Sequence, residues 1–242
     1  MTFRGSNLYK RRGRKEAVKG VNIEVCEGEV VGLLGPNGAG KTTTFYLLAG
    51  VLHPDRGEVF LEGEDITRLP LYLRARKGIA YLPQEHTLFD DLSLEENLQL
   101  VLEFYPFLKG EFKKEEVMER MGLLHIKGTP AGKLSGGEKR KMEIARLLIL
   151  SPKFLLLDEP FTGIDPRGVD EIKEIILQLK EKGIGILLTD HNVRDSLQIT
   201  DRAYIIFNGE IGVEGGREEI LSHPRAIDEY LGKSFSRITS SG

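Results

Sequence analysis

The chain has 242 residues, of which 40% are hydrophobic and 29% are charged, an ordinary composition for a globular protein with one large domain or two small ones. A net charge of −3 and a pI near 6.0 argue against a surface built for nucleic acid, so no nucleic-acid partner is expected. The single cysteine, Cys26, excludes an intrachain disulfide. No run approaches the ~18 apolar residues of a membrane span, and no apolar signal core follows the N-terminus. We therefore expect a soluble chain whose role at any membrane depends on a partner.

The first third of the chain predicts strands around a glycine-rich loop. The apolar run at residues 29–34 ends at this loop, as a buried parallel strand would, and helical spacing follows at 41–48. A basic cluster at 10–15 is expected on a solvated strand or at a hairpin tip rather than at a binding site. The other predicted elements are an alternating strand at 21–25, a hairpin with strands at 58–61 and 65–66, a short helix opening at Pro70 and a strand at 79–82.

Helical spacing dominates between residues 84 and 150, which predicts a helical insertion, and β/α alternation then returns. The predicted helices are 94–104, 113–121, 138–150, 167–182, 193–199 and one that opens at Pro224; the predicted strands are 154–157, 184–189 and 203–207, the last followed by a hairpin turn at Asn208-Gly209. The pattern indicates an α/β fold, a mixed sheet with helices on its faces. We expect one domain over residues 1–235, a helical subdomain at about 85–150 and a disordered tail at 236–242.

The glycine-rich loop has the features of a phosphate-binding loop. Gly35 and Gly40 allow the backbone to wrap around an anion, and the positive end of the next helix points to the same place. Lys41 supplies a cation for the β- and γ-phosphates, and the Thr42 hydroxyl can ligate Mg²⁺. Strand, loop and helix together predict a nucleoside triphosphate site. Its predicted binding residues are Gly35, Pro36, Asn37, Gly38, Ala39, Gly40, Lys41, Thr42 and Thr43.

Two adjacent carboxylates, Asp158 and Glu159, follow the apolar strand at 154–157. In α/β sheets this carboxyl end is where ligands bind. One carboxylate can hold Mg²⁺ through water, and the other can polarise an attacking water. The alternative is a helix cap, because Asp-Glu-Pro often begins a helix.

A third motif runs from Ser135 through Gly136 and Gly137 to Glu138. Ser135 and Glu138 form a capping-box pattern, but two glycines inside it cost helix stability and suit the approach of an anion to the exposed amides. The motif resembles the signature sequence of ABC ATPases, and the resemblance extends over residues 7–235. Within it, Gln84 resembles the family's glutamine loop, Asp165 its aspartate loop and His191 its switch histidine.

The resemblance implies a P-loop NTPase with a RecA-like core, an antiparallel β subdomain and a helical subdomain. It implies ATP and Mg²⁺ as cofactors, with Thr42, Gln84 and Asp158 around the metal, Glu159 as general base and His191 on the γ-phosphate. It also implies an ATP-bound, head-to-tail homodimer in which Ser135 and Gly137 reach the γ-phosphate in trans and Asp165 contacts the partner.

Recognition of the adenine is open between two residues. ABC ATPases carry an aromatic residue before the first core strand, and at that offset this chain has Arg12, with Tyr9 three residues earlier. Either a slipped strand brings Tyr9 to the base, or the guanidinium plane of Arg12 stacks on it.

Among ABC ATPases, the segments at residues 42–46, 81–85 and 189–194 resemble the ATPases of lipopolysaccharide export. The ATPases of branched-chain amino-acid importers are the alternative, and soluble ABC ATPases a more distant one. The resemblance implies transmembrane permease subunits as partners and a cytoplasmic location, peripheral on the inner face of the cytoplasmic membrane. The predicted partner groove is lined by Glu85, Leu88, Phe89 and Leu92, with Phe89 as the exposed anchor.

Overall fold

A computed structural model describes residues 1–105 and 114–232. Its strands in chain order are β1 (Thr2–Arg12), β2 (Lys15–Cys26), β3 (Val30–Leu34), β4 (Arg56–Leu61), β5 (Glu64–Asp65), β6 (Ile79–Leu82), β7 (Phe154–Asp158), β8 (Gly185–Thr189), β9 (Arg202–Phe207) and β10 (Glu210–Gly215). They form an antiparallel sheet in the order β2-β1-β4-β5 and a six-stranded sheet in the order β10-β9-β3-β8-β7-β6. The larger sheet is parallel except for β10, which pairs antiparallel with β9.

The helices are α1 (Lys41–Ala49), α2 (Leu71–Arg76), α3 (Leu94–Phe104), α4 (Lys114–Arg120), α5 (Gly136–Leu148), α6 (Pro166–Glu181), α7 (Val193–Ile199), α8 (Arg217–Ser222) and α9 (Pro224–Ala226). Helices α3, α4 and α5 lie between β6 and β7, where the sequence predicted helices. In the part of the chain that the structure describes, no helix has both the length and the apolar character of a membrane span. The predicted tail at 236–242 lies outside the described residues.

The core lies on both faces of the larger sheet. On one face, α1 is packed between the two sheets, and its Phe45 is buried with Phe3 of β1 and Leu33 of β3. On the other face, the helical subdomain and α6 pack through side chains such as Met142 and Ile176. The helix that follows the glycine-rich loop is therefore held between two sheets, which fixes the loop at its start.

Arg74 of α2 holds the C-terminal end of α1 in place. Its guanidinium is fully buried and donates to the main-chain oxygens of Leu47, at 2.8 Å, and Leu48, at 2.5 Å, in the last turn of α1, and to two more carbonyls before α2. Burial lowers the pKa of Arg74 to about 10. Gly50, which ends α1 with φ 80°, leaves room for it, because a Cβ there would lie 2.7 Å from Arg74 Nε. The cation therefore ties α2 to the C-terminus of α1.

The first two strands form a hairpin with the basic cluster at residues 10–15 at its tip, which is one of the two predicted placements. The extent of β1 was not predicted, because its pairing with β2 shifts register between Gly5 and Leu8, between Leu8 and Tyr9 and between Lys10 and Arg11. Such bulges interrupt the alternation by which a strand is recognised in a sequence.

Candidate nucleotide-binding site

The glycine-rich loop joins β3 to α1 with the backbone that its glycines permit. Gly35 has φ 147° and Gly40 has φ 115°, and a Cβ on either would lie 2.3–2.4 Å from a main-chain oxygen. Gly40 caps α1 without a side-chain hydrogen bond, and the first turn contains no acidic residue. The amides of this turn are therefore available to an anion.

Lys41 stands inside this loop as a buried cation. Its Nζ donates to the main-chain oxygen of Gly35 at 2.7 Å and of Pro36 at 3.2 Å. Burial lowers the pKa of Lys41, and the negative charges of Glu159, Asp158 and Asp190 only partly offset this effect. The loop thus already contains the positive charge that a triphosphate requires.

An open cleft of about 390 Å³ contains this loop. The cleft brings residues from distant parts of the chain together: Gln84 after β6, Glu159 after β7 and His191 after β8. Its lining residues are Arg12, Lys15, Ala17, Asn37, Gly38, Gly40, Lys41, Thr42, Thr43, Gln84, Glu159 and His191. The three predicted catalytic residues therefore share one cleft with the phosphate-binding loop.

The side chain of Asp158 is buried at the end of β7. Its Oδ2 accepts a hydrogen bond from the Tyr81 hydroxyl at 3.2 Å, whereas its Oδ1 is buried without a partner. Burial raises the pKa of Asp158 to about 6. A carboxylate oxygen left unpaired beside a phosphate-binding loop fits a hard cation such as Mg²⁺. The described residues contain no group of three or more His, Cys, Asp or Glu side chains that could hold a metal by themselves, so phosphate oxygens would have to complete the coordination.

Glu159 faces the cleft from a strained backbone. Its φ is 52°, unusual for a residue with a side chain, and its amide donates to the Thr189 oxygen of β8 at 2.8 Å. Its Oε1 lies 2.7 Å from His191 Nε2, and its Oε2 accepts from the Thr162 hydroxyl at 3.1 Å. The carboxylate is almost buried, whereas the His191 side chain is half exposed at 50%. The strain therefore presents Glu159 to the cleft opening, with His191 beside it.

Two charged residues that the motifs did not identify organise these loops. Buried Arg140 of α5 donates to the main-chain oxygens of Pro83 and Gln84, each at 3.1 Å, which fixes the loop after β6. Buried Asp190 accepts hydrogen bonds from the amides of Phe161, at 3.0 Å, and Asn192, at 2.9 Å, and so joins the loop after β7 to the loop that contains His191. An arginine on the inward face of an amphipathic helix was the only sequence signal for Arg140.

The signature motif, residues 135–138, lies outside the cleft of the phosphate-binding loop. Ser135 and Glu138 form the predicted capping box at the start of α5. Gly136 lies so close to the 162–165 loop that a Cβ would be 2.6 Å from the Gly163 oxygen. Ser135, Gly137, Glu138 and Asp165 line a second cleft, of about 640 Å³, whose lining shares no residue with the first. Asp165 also caps α6.

For the adenine, the structure distinguishes the two predicted residues. Arg12 lies at the exposed edge of the phosphate cleft, whereas Tyr9 does not line it. The Tyr9 ring packs under Arg56, whose guanidinium carbon is 4.7 Å from the ring centroid. The Tyr9 ring therefore has a partner on the adjacent strand, and adenine stacking by Tyr9 or by Arg12 stays a prediction.

The predicted partner groove stays a prediction, and the structure shows where its four residues lie. An apolar groove of about 660 Å³ lies between α2, α3 and α5, and of the four predicted residues only Phe89 lines it, 55% exposed. Leu88 packs instead against the core of the helical subdomain, and Glu85 and Leu92 lie outside the groove. Buried Glu143 holds the loop after β6, because its carboxylate accepts a hydrogen bond from the Thr87 amide at 2.7 Å. The other groove residues are Leu71, Tyr72, Arg76, Tyr81, Leu82, Pro83, Thr87, Leu100, Val101, Phe104, Tyr105, Glu143, Arg146, Leu147 and Leu150.

A phosphate-binding loop at a helix N-terminus, with paired carboxylates at the end of a neighbouring parallel strand, defines a P-loop nucleotide triphosphatase. Comparison with known families narrows the class, because the sequence model of the ABC transporter family matches residues 18–162. The chain belongs to the ATP-binding domains of ABC transporters.

The chain is also similar to curated relatives along nearly its full length. It is 47% identical to "Lipopolysaccharide export system ATP-binding protein LptB" of Acidithiobacillus ferridurans, covering 96% of this chain and 98% of that protein. It is 46% identical to the protein of the same name in Escherichia coli K12, with 97% and 98% covered. The ADP conformation of an ATP-binding cassette of an ABC transporter superposes with a TM-score of 0.87 at 33% identity, covering 96% of this chain and all of that one. A dimeric, post-hydrolysis cassette bound to ADP and Pi matches with a TM-score of 0.76 at 25% identity, over 89% and 98% of the chains.

Proposed function

We propose that this chain is the ATP-hydrolysing, nucleotide-binding subunit of an ABC transporter that powers lipopolysaccharide export. The observation that carries the ATPase assignment is the placement of Glu159 and His191, 2.7 Å apart, in the cleft of the phosphate-binding loop. The carboxylate acts as general base for water, and His191 contacts the γ-phosphate and keeps Glu159 oriented. Lys41 and the amides of the first turn of α1 bind the phosphates.

Binding requires Lys41 to change partners. Its Nζ now donates to the main-chain oxygens of Gly35 and Pro36, and a triphosphate in the loop offers stronger, charged acceptors at the same place. Thr42, Gln84 and the free Oδ1 of Asp158 would hold Mg²⁺. When bound, this ion neutralises charge on the phosphates.

The signature motif supports a composite site. Ser135 and Gly137 line a cleft that is distinct from that of Lys41 within the same chain, so they meet a γ-phosphate only if a second copy supplies it. A head-to-tail homodimer places two ATP molecules between the two kinds of cleft, and Asp165 beside the signature then contacts the partner. The exposed Ser135 hydroxyl and the helix amides at Gly137 take the place of an arginine finger.

The identity with the two export proteins, 46–47% over at least 96% of this chain, supports lipopolysaccharide as the exported substrate. We infer that permease subunits carry the substrate and hold this chain at the inner face of the cytoplasmic membrane. Their docking site is the apolar groove between α2, α3 and α5. Phe89, Tyr72 and Phe104 project there with 55%, 57% and 77% of their surfaces exposed, as anchors of an interface do.

The ATPase assignment is tested by comparing the native chain with Glu159→Gln and with the surface control Glu181→Gln. Loss of the general base is expected to lower turnover by about 10²–10⁴-fold and to leave an ATP-bound dimer that is seen by size-exclusion chromatography with light scattering. The control retains native turnover. Hydrolysis by Glu159→Gln at the native rate would remove Glu159 from its role.

The transport assignment is tested by copurification from native membranes. The native chain is expected to recover membrane-spanning partners that bind lipopolysaccharide, and Phe89→Asp is expected to lose them while it retains the ATPase activity of the free chain. Recovery of soluble partners alone would contradict the transporter assignment. Recovery of permeases for another substrate would contradict lipopolysaccharide export only.

A further inference from the structure

Helix α7 follows the loop of His191 and is short. It has seven residues, Val193–Ile199, and begins directly after Asn192. A helix of this length is not stable by itself in water, so its position depends on its contacts with the rest of the fold. The Asn192 side chain caps the helix by accepting a hydrogen bond from the Asp195 amide at 3.2 Å, and its Nδ2 donates to Asp195 Oδ2. The position of Asp195 therefore determines the position of the residue next to His191.

Lys173 of α6 is the cation that holds Asp195. Its Nζ donates to Asp195 Oδ1 at 2.6 Å and to Gln198 Oε1 at 2.9 Å, both on α7. The same Nζ lies 3.0 Å from Asp170 Oδ1, three residues earlier on α6. An ammonium group has three N–H donors, and these three acceptors match them. The Lys173 side chain is 11% exposed and that of Asp195 is 20% exposed, so solvent screens this pair less than a surface pair.

The position of Lys173 departs from the pattern of its helix. The inward face of α6 is otherwise built from apolar side chains such as Ile172, Ile176 and Leu179. An apolar side chain at 173 would pack there without the cost of removing an ammonium group from water. A buried ion pair adds little net stability, and its best-supported use is to fix one arrangement of two elements. The pair is therefore better suited to fixing geometry than to adding stability.

The same helix reaches the predicted dimer face. Asp165 lines the signature cleft and caps the start of α6, because its carboxylate accepts hydrogen bonds from the amides of Arg167 and Gly168, each at 3.1 Å. Lys173 lies about two turns further along the helix. Helix α6 therefore connects the signature cleft to α7, and through α7 to the loop of His191.

We propose that Lys173 is a positioning residue for ATP hydrolysis, an inference that rests on the proposed ATPase function and its head-to-tail dimer. The ion pair between Lys173 and Asp195 makes α6 and α7 one rigid unit. Contact of Asp165 with the second copy then sets the position of His191 relative to the γ-phosphate. Lys173 lies outside the lining of the nucleotide cleft and acts only through Asp195 and Asn192.

The test compares the native chain with Lys173→Met, which keeps an unbranched side chain and removes the charge. The kcat for ATP is expected to fall about tenfold with KM changed less than about twofold, because the phosphate-binding loop is intact and only His191 is displaced. Lys173→Arg still offers charged donors to Asp195 and is expected to keep at least about half of the native kcat. A native kcat for Lys173→Met would overturn the inference.

The matched control is Lys180→Met on the same helix. Lys180 Nζ donates to Asp201 Oδ1 at 2.5 Å, an ion pair that also joins α6 to the segment around α7. Asp201 precedes β9 whereas His191 follows β8, so the two lie at opposite edges of the parallel sheet. Both variants are expected to change the thermal unfolding midpoint by less than about 4 °C, and Lys180→Met is expected to keep the native kcat. An equal fall in kcat for both variants would show a general loosening of α6 and would overturn the inference.

Two further backgrounds separate positioning from binding. In a His191→Ala background, Lys173→Met is expected to cause no further loss in single-turnover hydrolysis, because the two residues act through one loop. In a Glu159→Gln background, Lys173→Met is expected to retain the ATP-bound dimer seen by light scattering, because Lys173 does not bind ATP. Loss of that dimer, or an equal loss of hydrolysis with and without His191, would overturn the inference while the native ATPase activity stood. Absence of hydrolysis by the native chain would overturn the proposed function itself.

Discussion

His191 Nε2 lies 2.7 Å from Glu159 Oε1 in the lining of the phosphate cleft. The two side chains come from the ends of adjacent parallel strands, β7 and β8, so the sheet itself sets their separation. The exposed imidazole can rotate towards a phosphate while the buried carboxylate remains fixed by Thr162. This pair therefore links recognition of the γ-phosphate to activation of water.

We expect His191→Ala to lower kcat by about 10²-fold with little change in ATP affinity, because the phosphate-binding loop is intact. Glu159→Gln and the double variant are expected to be similarly inactive, since residues that act as a unit are not additive. Steady-state ATPase assays with ATP-binding titrations measure this. Multiplicative losses in the double variant would show that the two residues act independently.

Asp158→Asn is expected to stabilise the metal-free chain near neutral pH. The pKa of Asp158 is raised from 3.8 to about 6 by burial, so the native chain binds this proton more tightly than the unfolded chain does. The protonated carboxyl therefore contributes to folding stability below pH 4, and this contribution is lost as the pH rises through 6. At pH 7.5 the buried charge of Asp158 lowers the free energy of unfolding by up to about 3 kcal/mol relative to a neutral side chain.

Urea unfolding of the native chain, Asp158→Asn and the surface control Asp228→Asn at pH 7.5 and 4.5 measures this effect. The gain for Asp158→Asn should be larger at pH 7.5, and the control should show none. A variant less stable than the native chain at both pH values would contradict the assignment of a destabilising buried charge.

Arg74→Met is expected to destabilise the fold by about 3–5 kcal/mol, because it leaves buried carbonyls at the end of α1 without donors. Arg76→Met, on the exposed side of the same helix, is the matched control and should change stability by less than about 0.5 kcal/mol. Thermal and urea unfolding measure both. Equal, small effects would mean that Arg74 does not hold α1 in place.

The sequence was sufficient to predict those site residues whose role is defined by the backbone of a few consecutive residues. The loop from Gly35 to Thr42 and the capping box at Ser135 are of this kind, because backbone geometry over a few residues defines them. Side-chain direction in tertiary structure was not predictable. The Tyr9 ring packs against Arg56 of the adjacent strand, and an apolar groove lies between helices that are distant in sequence. The network of Asp190, likewise, depends on loops that only the sheet brings together.

The composite dimer site is tested most directly by mixing two inactive variants. Lys41→Ala removes the cation of the phosphate-binding loop, and Ser135→Arg blocks the signature, so each variant alone is expected to lose hydrolysis. In an equimolar mixture, half of the dimers contain one intact site formed between chains, and activity should return to about a quarter of the native level if the sites act independently. A mixture no more active than its parents would contradict a site completed in trans.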